Sequence, residues 1–323
     1  MSQALPIVAV SRPLPGEFSV PEADVRFGPE RGFPDPKQRG EFMRGASAIV
    51  TWVSDRVDDA LLDAIGPQLK LVANFAVGFD NIELDACRRR GVRVSNTPDA
   101  VTEGTADVAV MLMLAAARRL SAADRFCRSG DWERHGILGP NEWIGVPLAG
   151  RTLFIVGAGR IGYATALRTI GFGMRVTYWA RRAKPAFEAA PLNARKLELD
   201  EGLAGADFVS IHVPLTPETR GLIDARRLAL MKPGAVLVNT ARGPIVDEAA
   251  LAAALRDRRI FGAGLDVFEK EPQVYDALKS LDNVVMTPHY GSASETSRSA
   301  MSALCAANIR AVLAGKDPVT PVV

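Results

Sequence analysis

The chain has 323 residues, of which 48% are hydrophobic, so it exceeds the usual size of one domain and can bury two cores. Its 39 Lys and Arg nearly balance its 37 Asp and Glu, which excludes the charge pattern of a nucleic-acid groove or a polybasic membrane surface and favours a small-molecule partner. Three cysteines without a CxxC pair argue against a disulfide framework and a zinc site, and no metal is expected. No signal peptide is predicted, and no apolar run reaches the roughly 20 residues that span a bilayer, so we expect a soluble, cytoplasmic protein.

Short β-branched runs alternate with helical patterns along the chain, which is typical of βαβ units and parallel sheets. The first third predicts three strands and two helices, in the order Ile7–Val10, Ala48–Val53, Val57–Ala64, Leu71–Phe75 and Leu84–Arg90. The Pro- and Gly-rich segment Ser11–Gly40 shows no period and is predicted to be a loop. A long helix follows over Asp99–Leu120, and its nearly all-round apolarity predicts burial between layers.

A second series of strands predicts one doubly wound sheet. Its six members are Leu153–Val156, Arg175–Trp179, Phe208–Val213, Ala235–Asn239, Gly262–Val267 and Val284–Thr287. The last helix, about Ser292–Leu313, has no strand after it, so we expect it to return to the first third of the chain. The predicted fold class is α/β, with two doubly wound, Rossmann-like parallel-sheet domains. One is discontinuous (1–98 and 291–323) and the other spans 99–290.

The strongest local motif is a glycine-rich turn between a strand and a helix. Gly157, Gly159 and Gly162 form G-x-G-x-x-G, with Ala158, Arg160 and Ile161 between them. The glycines allow a tight turn, close approach of a pyrophosphate, and close helix-to-strand packing. Such a turn also occurs for purely structural reasons, but its setting favours a dinucleotide, which makes 99–290 the dinucleotide-binding domain.

The end of the next strand indicates which dinucleotide is preferred. An Asp or Glu about 20 residues after the first glycine would hold the ribose hydroxyls of NAD. Here Trp179 and Ala180 are followed by Arg181 and Arg182, and no acid appears before Glu188. Forked guanidinium donors suit a 2′-phosphate, so NADP(H) is preferred and NAD(H) remains possible. The alternative is that both arginines are solvated surface residues.

Only three histidines are present, and each has a distinct setting. His135 lies in a polar stretch and is most simply a surface residue. His212 ends a strand before Pro214, where either core packing or a ligand contact is possible. His289 follows the last strand, at the sheet edge where ligands bind in such folds.

Two neighbouring strand ends supply charged groups that suit a 2-oxo acid. Arg242 follows the fourth strand of the second series, and Asp266 and Glu271 lie at and after the fifth. A 2-oxo acid needs a cation for its oxygens, an acid to protonate the new alkoxide, and a carboxylate to orient that acid. Arg242, His289 and Glu271 fit these roles together, although each alone is more simply an ordinary loop residue.

The chain resembles the D-isomer-specific 2-hydroxyacid dehydrogenases over nearly its whole length, and within them the glyoxylate and hydroxypyruvate reductases. The resemblance rests on residues 76–98, 156–162, 212–224 and 231–251, and on the motifs GLDVFEKEP at 264–272 and TPHYGSAS at 287–294. It implies hydride transfer from NADPH to glyoxylate or hydroxypyruvate to give a D-2-hydroxy acid, with catalytic Arg242, Glu271 and His289. It also implies that the discontinuous domain is substrate-binding and that subunits pair as a homodimer through the nucleotide-binding domains.

The resemblance further implies two groups of binding residues. Amides near Val77 and Gly78 hold the substrate carboxylate, in a substrate site that includes Trp52, Ala76, Arg242 and His289. Beyond the glycine turn and Trp179–Arg182, the cofactor is expected along Thr105, His212, Val213, Pro214, Thr219, Thr240, Ala241, Arg242, Asp266, His289 and Gly291. Trp52 and Tyr290 depart from the usual residues at their positions, and both are expected to narrow the pocket.

Two alternatives to this function remain. One is a dinucleotide-sensing binding protein like the corepressors that share this architecture. The other is a different dehydrogenase of the family, acting on phosphoglycerate or formate. The complete Arg, Glu and His set favours catalysis over sensing.

Overall fold

Two parallel β-sheets organise the chain in the computed structural model, which describes residues 4–323. The described residues up to Thr102 form one compact unit with Ser292–Val323, here called unit 1. Residues Glu103–Gly291 form the second, unit 2. The sequence placed these boundaries at 98 and 290, and the assignment of a substrate or a dinucleotide to each unit stays a prediction.

Unit 1 is built on a five-stranded sheet with the strand order β2-β1-β3-β4-β5, parallel throughout. Its first elements are β1 (Ile7–Val10), β2 (Asp24–Phe27), α1 (Pro36–Met43), β3 (Ala48–Thr51), α2 (Asp59–Ile65), β4 (Leu71–Asn74), α3 (Leu84–Arg89) and β5 (Arg93–Ser95). The central strands are apolar and buried at nearly every residue, as expected for parallel strands covered on both faces.

The prediction of a loop over Ser11–Gly40 is wrong for β2 and for the start of α1. β2 is an edge strand whose residues alternate charged and apolar types and stay largely exposed, so it lacks a buried apolar run. α1 is mainly polar, but it has sound start signals: the Asp35 side chain accepts from the Lys37 amide at 2.9 Å, and Pro36 occupies the first turn. The three-residue strand β5 was also too short to be predicted.

Unit 2 is built on a seven-stranded parallel sheet with the order β12-β11-β10-β9-β6-β7-β8. Its strands are β6 (Thr152–Val156), β7 (Arg175–Trp179), β8 (Arg195–Lys196), β9 (Phe208–Ile211), β10 (Val236–Asn239), β11 (Gly262–Leu265) and β12 (Val284–Met286). The prediction of parallel α/β sheets is confirmed, and the six predicted strands are present: β7 has the predicted bounds, β6 starts one residue earlier, and the other four are shorter than predicted. The seventh, β8, is a two-residue edge strand without a sequence signal.

Helices cover the sheet of unit 2 and connect its strands. They are α4 (Thr102–Ala117), which starts at the last residue of unit 1, α5 (Leu120–Arg128), α6 (Asp131–His135), α7 (Arg160–Ile170), α8 (Pro185–Glu188), α9 (Leu199–Gly205), α10 (Ala225–Leu230), α11 (Glu248–Arg256) and α12 (Asp276–Lys279). A short 3₁₀ turn spans Gly243–Ile245, and the last helix of the chain, α13 (Glu295–Leu313), belongs to unit 1. None of the helices within residues 4–323 is long and apolar enough to cross a membrane.

The long predicted helix over Asp99–Leu120 is interrupted in the structure. Asp99 and Arg119 both have positive φ, of 67° and 53°, so the helix begins at Thr102 and a second helix starts at Leu120. Most of α4 is buried, as its composition predicts, and it lies directly against β11, where a Cβ on Gly264 would come within 2.7 Å of the Leu112 side chain.

Alternating side chains of the central strands divide the core of unit 2 into two layers. Phe154, Val209 and Leu237 point into one cluster, and their chain neighbours Leu153, Phe208 and Val238 point into the other. The sheet is therefore covered on both faces. Because all seven strands are parallel, every loop that follows a strand leaves the sheet at the same edge.

Candidate active site

The glycine turn after β6 is shaped by close backbone contacts. Gly157 has φ of +107°, and a Cβ there would lie 2.6 Å from the carbonyl carbon of His212. A Cβ on Gly162 would lie 2.4 Å from the oxygen of Gly157, so α7 packs tightly on β6. Any side chain at either position would displace backbone, which explains why both are glycine.

Gly159 leaves the start of α7 open. Among residues 4–323, no atom outside the chain neighbours of Gly159 lies within 4 Å of the position its Cβ would take, and no side chain caps the helix. The first amides of an eleven-residue helix therefore face open space, where an anion is favoured by their hydrogen atoms and by the helix dipole. This geometry fits the pyrophosphate of a dinucleotide.

The strand β7 ends beside two exposed arginines. Neither Arg181 nor Arg182 has a hydrogen bond or ion pair within the described part of the chain. The nearest acid along the chain, Glu188, is engaged elsewhere, because it accepts a hydrogen bond of 2.7 Å from the hydroxyl of the buried Tyr178. A hydrogen bond from Thr216 holds the pKa of Glu218 below its usual range, and the Arg181 guanidinium acts in the same direction, so Glu218 lies within electrostatic reach of Arg181.

His212 is unsuited to proton transfer near neutral pH. Burial lowers its pKa to about 3, and its Nε2 lies 2.8 Å from the hydroxyl of Ser210. The residue as a whole keeps some exposed surface, and no acidic group of residues 4–323 offsets the effect of burial on its pKa. His135 is an exposed residue whose Nε2 lies 2.9 Å from Glu142, in agreement with its assignment as a surface residue.

His289 and Glu271 meet directly. The Nδ1 atom of His289 lies 2.7 Å from Oε2 of Glu271, whose Oε1 accepts from the Phe268 amide at 3.0 Å. Burial raises the pKa of Glu271, but the hydrogen bond and charge of His289, the Phe268 amide and the Arg242 guanidinium together bring it below its usual range. Glu271 is therefore a carboxylate at neutral pH, and the other ring nitrogen of His289, Nε2, has no hydrogen-bond partner among residues 4–323.

The loops that carry Arg242 and Glu271 are in van der Waals contact. A Cβ on Gly243 would lie 1.9 Å from the carbonyl carbon of Phe268, so only glycine allows this approach. Asn239, buried at the end of β10, donates to the Arg242 carbonyl at 2.9 Å and accepts from the Ala241 amide at 3.0 Å. The backbone on both sides of Arg242 is thus fixed, and its guanidinium lies close enough to lower the pKa of Glu271.

Asp266 fixes the turn that carries His289. It is 1% exposed, and its two oxygens accept from the Thr287 hydroxyl at 2.7 Å, the Tyr290 amide at 2.9 Å and the Gly291 amide at 2.8 Å. His289 itself has φ of +50°, a conformation that is uncommon for a residue with a side chain. Three hydrogen bonds around one strained residue indicate that Asp266 keeps His289 turned toward Glu271.

The remaining predicted cofactor residues of unit 2 lie on the loops at the same sheet edge or beside them. The hydroxyl of Thr219 is used internally, since it donates to the Pro214 carbonyl at 2.6 Å and shapes the loop after β9. The hydroxyl of Thr240 is buried and has no hydrogen-bond partner among residues 4–323. Thr105, on α4, lies next to Gly291, with 3.4 Å from its methyl group to the position of a Gly291 Cβ.

Unit 1 presents two backbone amides at the end of β4. The carbonyl oxygens of Ala76, Val77 and Gly78 accept from the Thr97 amide at 2.9 Å and from the side chains of Asn96 and Asn74, each at 2.8 Å. The amides of Val77 and Gly78 have no acceptor in the part of the chain that the structure describes. Fixed carbonyls with open amides form a site suited to an anion such as a carboxylate.

The model of the D-isomer specific 2-hydroxyacid dehydrogenase NAD binding domain matches residues 110–291. The chain belongs to the D-isomer specific 2-hydroxyacid dehydrogenase family. The sequence-based assignment to these dehydrogenases is therefore confirmed, and the chain is an oxidoreductase that depends on a nicotinamide dinucleotide.

Similar members of the 2-hydroxyacid dehydrogenase family include glyoxylate reductases of Thermococcus onnurineus and Pyrococcus furiosus. They are 50% and 48% identical over 281 residues, which is 87% of this chain in both cases and 84% and 83% of those proteins. A solved structure from Thermus thermophilus is 42% identical with a TM-score of 0.88, covering 98% of this chain and 100% of that one. An NADPH-dependent glyoxylate/hydroxypyruvate reductase of Sinorhizobium meliloti, in complex with NADP and malonate, is 36% identical with a TM-score of 0.84, covering 99% and 97% of the two chains.

Sequence reasoning missed several residues that position the candidate binding segments within each unit. Asn74 and Asn96 orient residues 76–78, and a polar residue that ends an apolar strand, as in LVAN, was the available signal. Glu248 and Glu269 exchange hydrogen bonds with each other's backbone amides at 2.6 and 3.0 Å and tie the Glu271 loop to α11. Burial raises the pKa of Glu248, consistent with its enclosed position.

Replacing Asp266 by Asn should lower kcat by about 10- to 100-fold, because the amide nitrogen cannot accept from a backbone amide and the His289 turn shifts. The dinucleotide Kd, measured by fluorescence titration, should change less than kcat, because both oxygens of Asp266 already bind the turn that carries His289. Thr287→Val, which removes one of the three hydrogen bonds, is the matched control and should cost less. Wild-type turnover in a folded Asp266→Asn protein would show that Asp266 does not position His289.

Proposed function

We propose that this dehydrogenase reduces small 2-oxo acids, with glyoxylate and hydroxypyruvate as its substrates, and that Arg242, Glu271 and His289 are its catalytic residues. The observation that carries the proposal is the 2.7 Å contact of His289 with Glu271 beside Arg242. The similarity to glyoxylate reductases supports the choice of substrate. The coupling of an acid, its orienting carboxylate and a cation suits the reduction of a carbonyl next to a carboxylate.

The residues of unit 2 divide the chemistry among them. When bound, the nicotinamide dinucleotide supplies the hydride that a carbonyl carbon requires. His289 donates a proton from Nε2 to the carbonyl oxygen, and Glu271 stabilises the imidazolium before that transfer and fixes the ring through Nδ1. Arg242 donates hydrogen bonds to the substrate oxygens and stabilises the negative charge that develops on the carbonyl oxygen.

The open amides of Val77 and Gly78 are proposed to bind the substrate carboxylate. Ala76 belongs to the same segment, and the partly buried Trp52 lies near Phe75, with 5.5 Å between the ring centroids. The rings of Trp52 and Tyr290 favour small substrates. Tyr290 is engaged with α4, since its hydroxyl lies 3.5 Å from the sulfur of Met111.

Replacing His289 by Asn should lower kcat with glyoxylate and NADPH by about 10²- to 10⁴-fold while the protein folds and binds dinucleotide normally, because the positioned acid is lost. The measurement is steady-state cofactor oxidation at 340 nm, with circular dichroism as the check on folding. Near-normal turnover by folded His289→Asn would remove the mechanism. If the wild type binds dinucleotide but turns over no 2-oxo acid in a panel, a corepressor-like sensor would replace the enzyme proposal.

A preference for NADPH over NADH is the second part of the proposal. Arg181 and Arg182 lie exposed at the end of β7, and the acid that would select the ribose hydroxyls is absent there. Glu188 does not take its place, because its carboxylate is held by Tyr178. A 2′-phosphate would give both guanidiniums charge-assisted hydrogen bonds, at the cost of competition from Glu218.

The wild type should prefer NADPH over NADH by about tenfold or more in kcat/KM. The double variant Arg181→Ala/Arg182→Ala should lose most of this preference. Its kcat/KM with NADH should stay nearly constant, since the NADH ribose does not contact these charges. Both cofactors should be compared at one ionic strength. Glu218→Gln is the matched control and should move the preference toward NADPH. Equal kcat/KM values in the wild type, or a parallel loss for both cofactors in the double variant, would identify the arginines as plain surface charges.

A homodimer formed through unit 2 is the third part of the proposal. A groove of about 710 Å³ is lined by apolar residues of α4, by Leu120 and Phe172, and by the charged side chains of Asp107, Arg118 and Arg168. The same unit carries a protruding segment after α6, in which Ile137 is 98% and Ile144 63% exposed. A groove and an exposed apolar segment on one unit suit a self-complementary contact between two copies, which would remove both from water. The cytoplasmic location stays a prediction from the sequence.

Ile144→Asp should convert the protein from a mass near twice 34.6 kDa to the monomer mass, because a carboxylate would be buried without a partner. Sedimentation equilibrium measures both species. Leu230→Asp, a similar change at a residue 37% exposed on α10 of the same unit, is the control and should leave the mass unchanged. A monomeric wild type, or a dimer that survives Ile144→Asp, would contradict this interface.

A further inference from the structure

Trp52 and Arg298 form a stacked pair in unit 1. The guanidinium carbon of Arg298 lies 4.5 Å from the centroid of the Trp52 ring and 5.9 Å from that of Phe75. The two rings are themselves 5.5 Å apart and inclined by 31°. A guanidinium at this distance is attracted to an aromatic face, and stacking leaves its donors free to bind in its own plane.

The charge of Arg298 has no acidic partner. Burial lowers the pKa of Arg298, and no hydrogen bond or ion pair involves its guanidinium anywhere in residues 4–323. The neighbouring Arg12, 5.5 Å from the Trp52 centroid, differs, because Asp55 lies 3.5 Å from Arg12 and 3.3 Å from Arg39. Asp55 therefore serves the other two arginines and leaves Arg298 uncompensated.

This placement does not stabilise the helix that carries it. Arg298 lies in the first turn of α13, where the positive end of the helix dipole disfavours a cation. Arg310, in the last turn of the same helix, has both a favourable dipole and Glu22 at 3.0 Å. A partly buried, unpaired cation at an unfavourable position is typical of a residue whose charge is compensated by a bound anion.

The neighbouring backbone indicates the class of anion. Phe75, which Arg298 contacts, is followed within three residues by the open amides of Val77 and Gly78. Unit 1 thus offers a planar cation beside Phe75 and two N–H donors that follow Phe75 in the chain. A carboxylate matches both, because it accepts in-plane pairs from a guanidinium and single hydrogen bonds from amides.

We propose that Arg298, stacked on Trp52, is a carboxylate-binding residue that sets the affinity of unit 1 for the acid substrate. The inference rests on the proposed reduction of 2-oxo acids. The carboxylate is either the one adjacent to the carbonyl, present in every 2-oxo acid, or a second one in a 2-oxo diacid. Arg298 acts on binding and not on the proton transfer of His289.

Kinetics of Arg298→Met, which keeps most of the stem and removes the charge, test the assignment. KM should rise by about 10- to 100-fold, the usual effect of losing hydrogen bonds to a charged group. The kcat and the KM for NADPH should stay within about threefold, since uniform binding is lost and no transition-state contact is removed. If KM rises with both glyoxylate and oxaloacetate, Arg298 binds the carboxylate that the two acids share. If KM rises with oxaloacetate alone, Arg298 binds the second carboxylate.

Matched variants separate binding from structure. Arg310→Met makes the same change on the same helix, and Arg12→Met removes the other guanidinium near Trp52; both should keep the wild-type KM. Arg298→Lys should fall between the wild type and Arg298→Met, because charge is kept and the planar stack is lost. If Arg298→Met does not fold, Arg298→Lys and Arg298→Gln provide the same comparison, with the urea midpoint as the check on folding.

Calorimetric titration with oxalate, a carboxylate that cannot be reduced, makes the test independent of turnover. Oxalate binding to the NADPH-saturated wild type that weakens in Arg298→Met supports the proposal, even if no 2-oxo acid is turned over and the proposed function fails. Folded Arg298→Met with wild-type oxalate affinity and wild-type KM for both acids would overturn it.

Discussion

The candidate site depends on one buried carboxylate, that of Asp266. Its position at the end of β11 lets both oxygens reach the turn after β12, where they accept from Thr287, Tyr290 and Gly291. These bonds surround His289, whose left-handed backbone would otherwise be unfavourable. Both side-chain oxygens of Asp266 have hydrogen-bond donors, so their burial is tolerated and the turn is held at three points.

The electrostatics of the site follow from this placement. Glu271 is partly buried, which by itself would favour its neutral form, yet His289, the Phe268 amide and Arg242 reverse that tendency. The result is a carboxylate next to an imidazole and a guanidinium in one loop cluster. His212, at the same sheet edge, shows the contrast. It has no acidic neighbour, so burial alone lowers its pKa and the ring stays neutral near neutral pH.

Close backbone approach is the second requirement of the site. The positions of Gly157, Gly162 and Gly243 leave no room for a Cβ, because each meets a carbonyl group of a neighbouring segment. Gly157 lets the turn approach the end of β9, Gly162 brings α7 onto β6, and Gly159 leaves the start of the helix open. Gly243 places the loop of Arg242 against the loop of Glu271. In unit 1, by contrast, the backbone is positioned by side chains: the amides of Asn74 and Asn96 donate hydrogen bonds to the carbonyl groups of Gly78 and Val77.

The sequence alone determined the fold class, the central strands, the glycine turn and the set of charged residues at the strand ends. These are local signals: buried parallel strands require continuous apolar runs, and a G-x-G-x-x-G between strand and helix has few structural uses. The edge strands β2 and β8 and the polar helix α1 escaped prediction because exposure removes the pattern that a core imposes. The break at Arg119 escaped it because composition does not record a positive φ.

Only the tertiary structure decided which charged groups act together. Asp266 and Glu271 are both acids near the end of the same strand, yet one binds backbone amides and the other binds His289. His212 and His289 both lie at the sheet edge. They differ because His212 is buried without an acidic partner, whereas His289 contacts Glu271. Arg298 belongs to no motif that the sequence analysis used. It stacks on Trp52 without an acidic partner only because α13 returns to unit 1. The partners and the burial of each charged side chain depend on residues that are distant in sequence. They are therefore set only when the chain has folded.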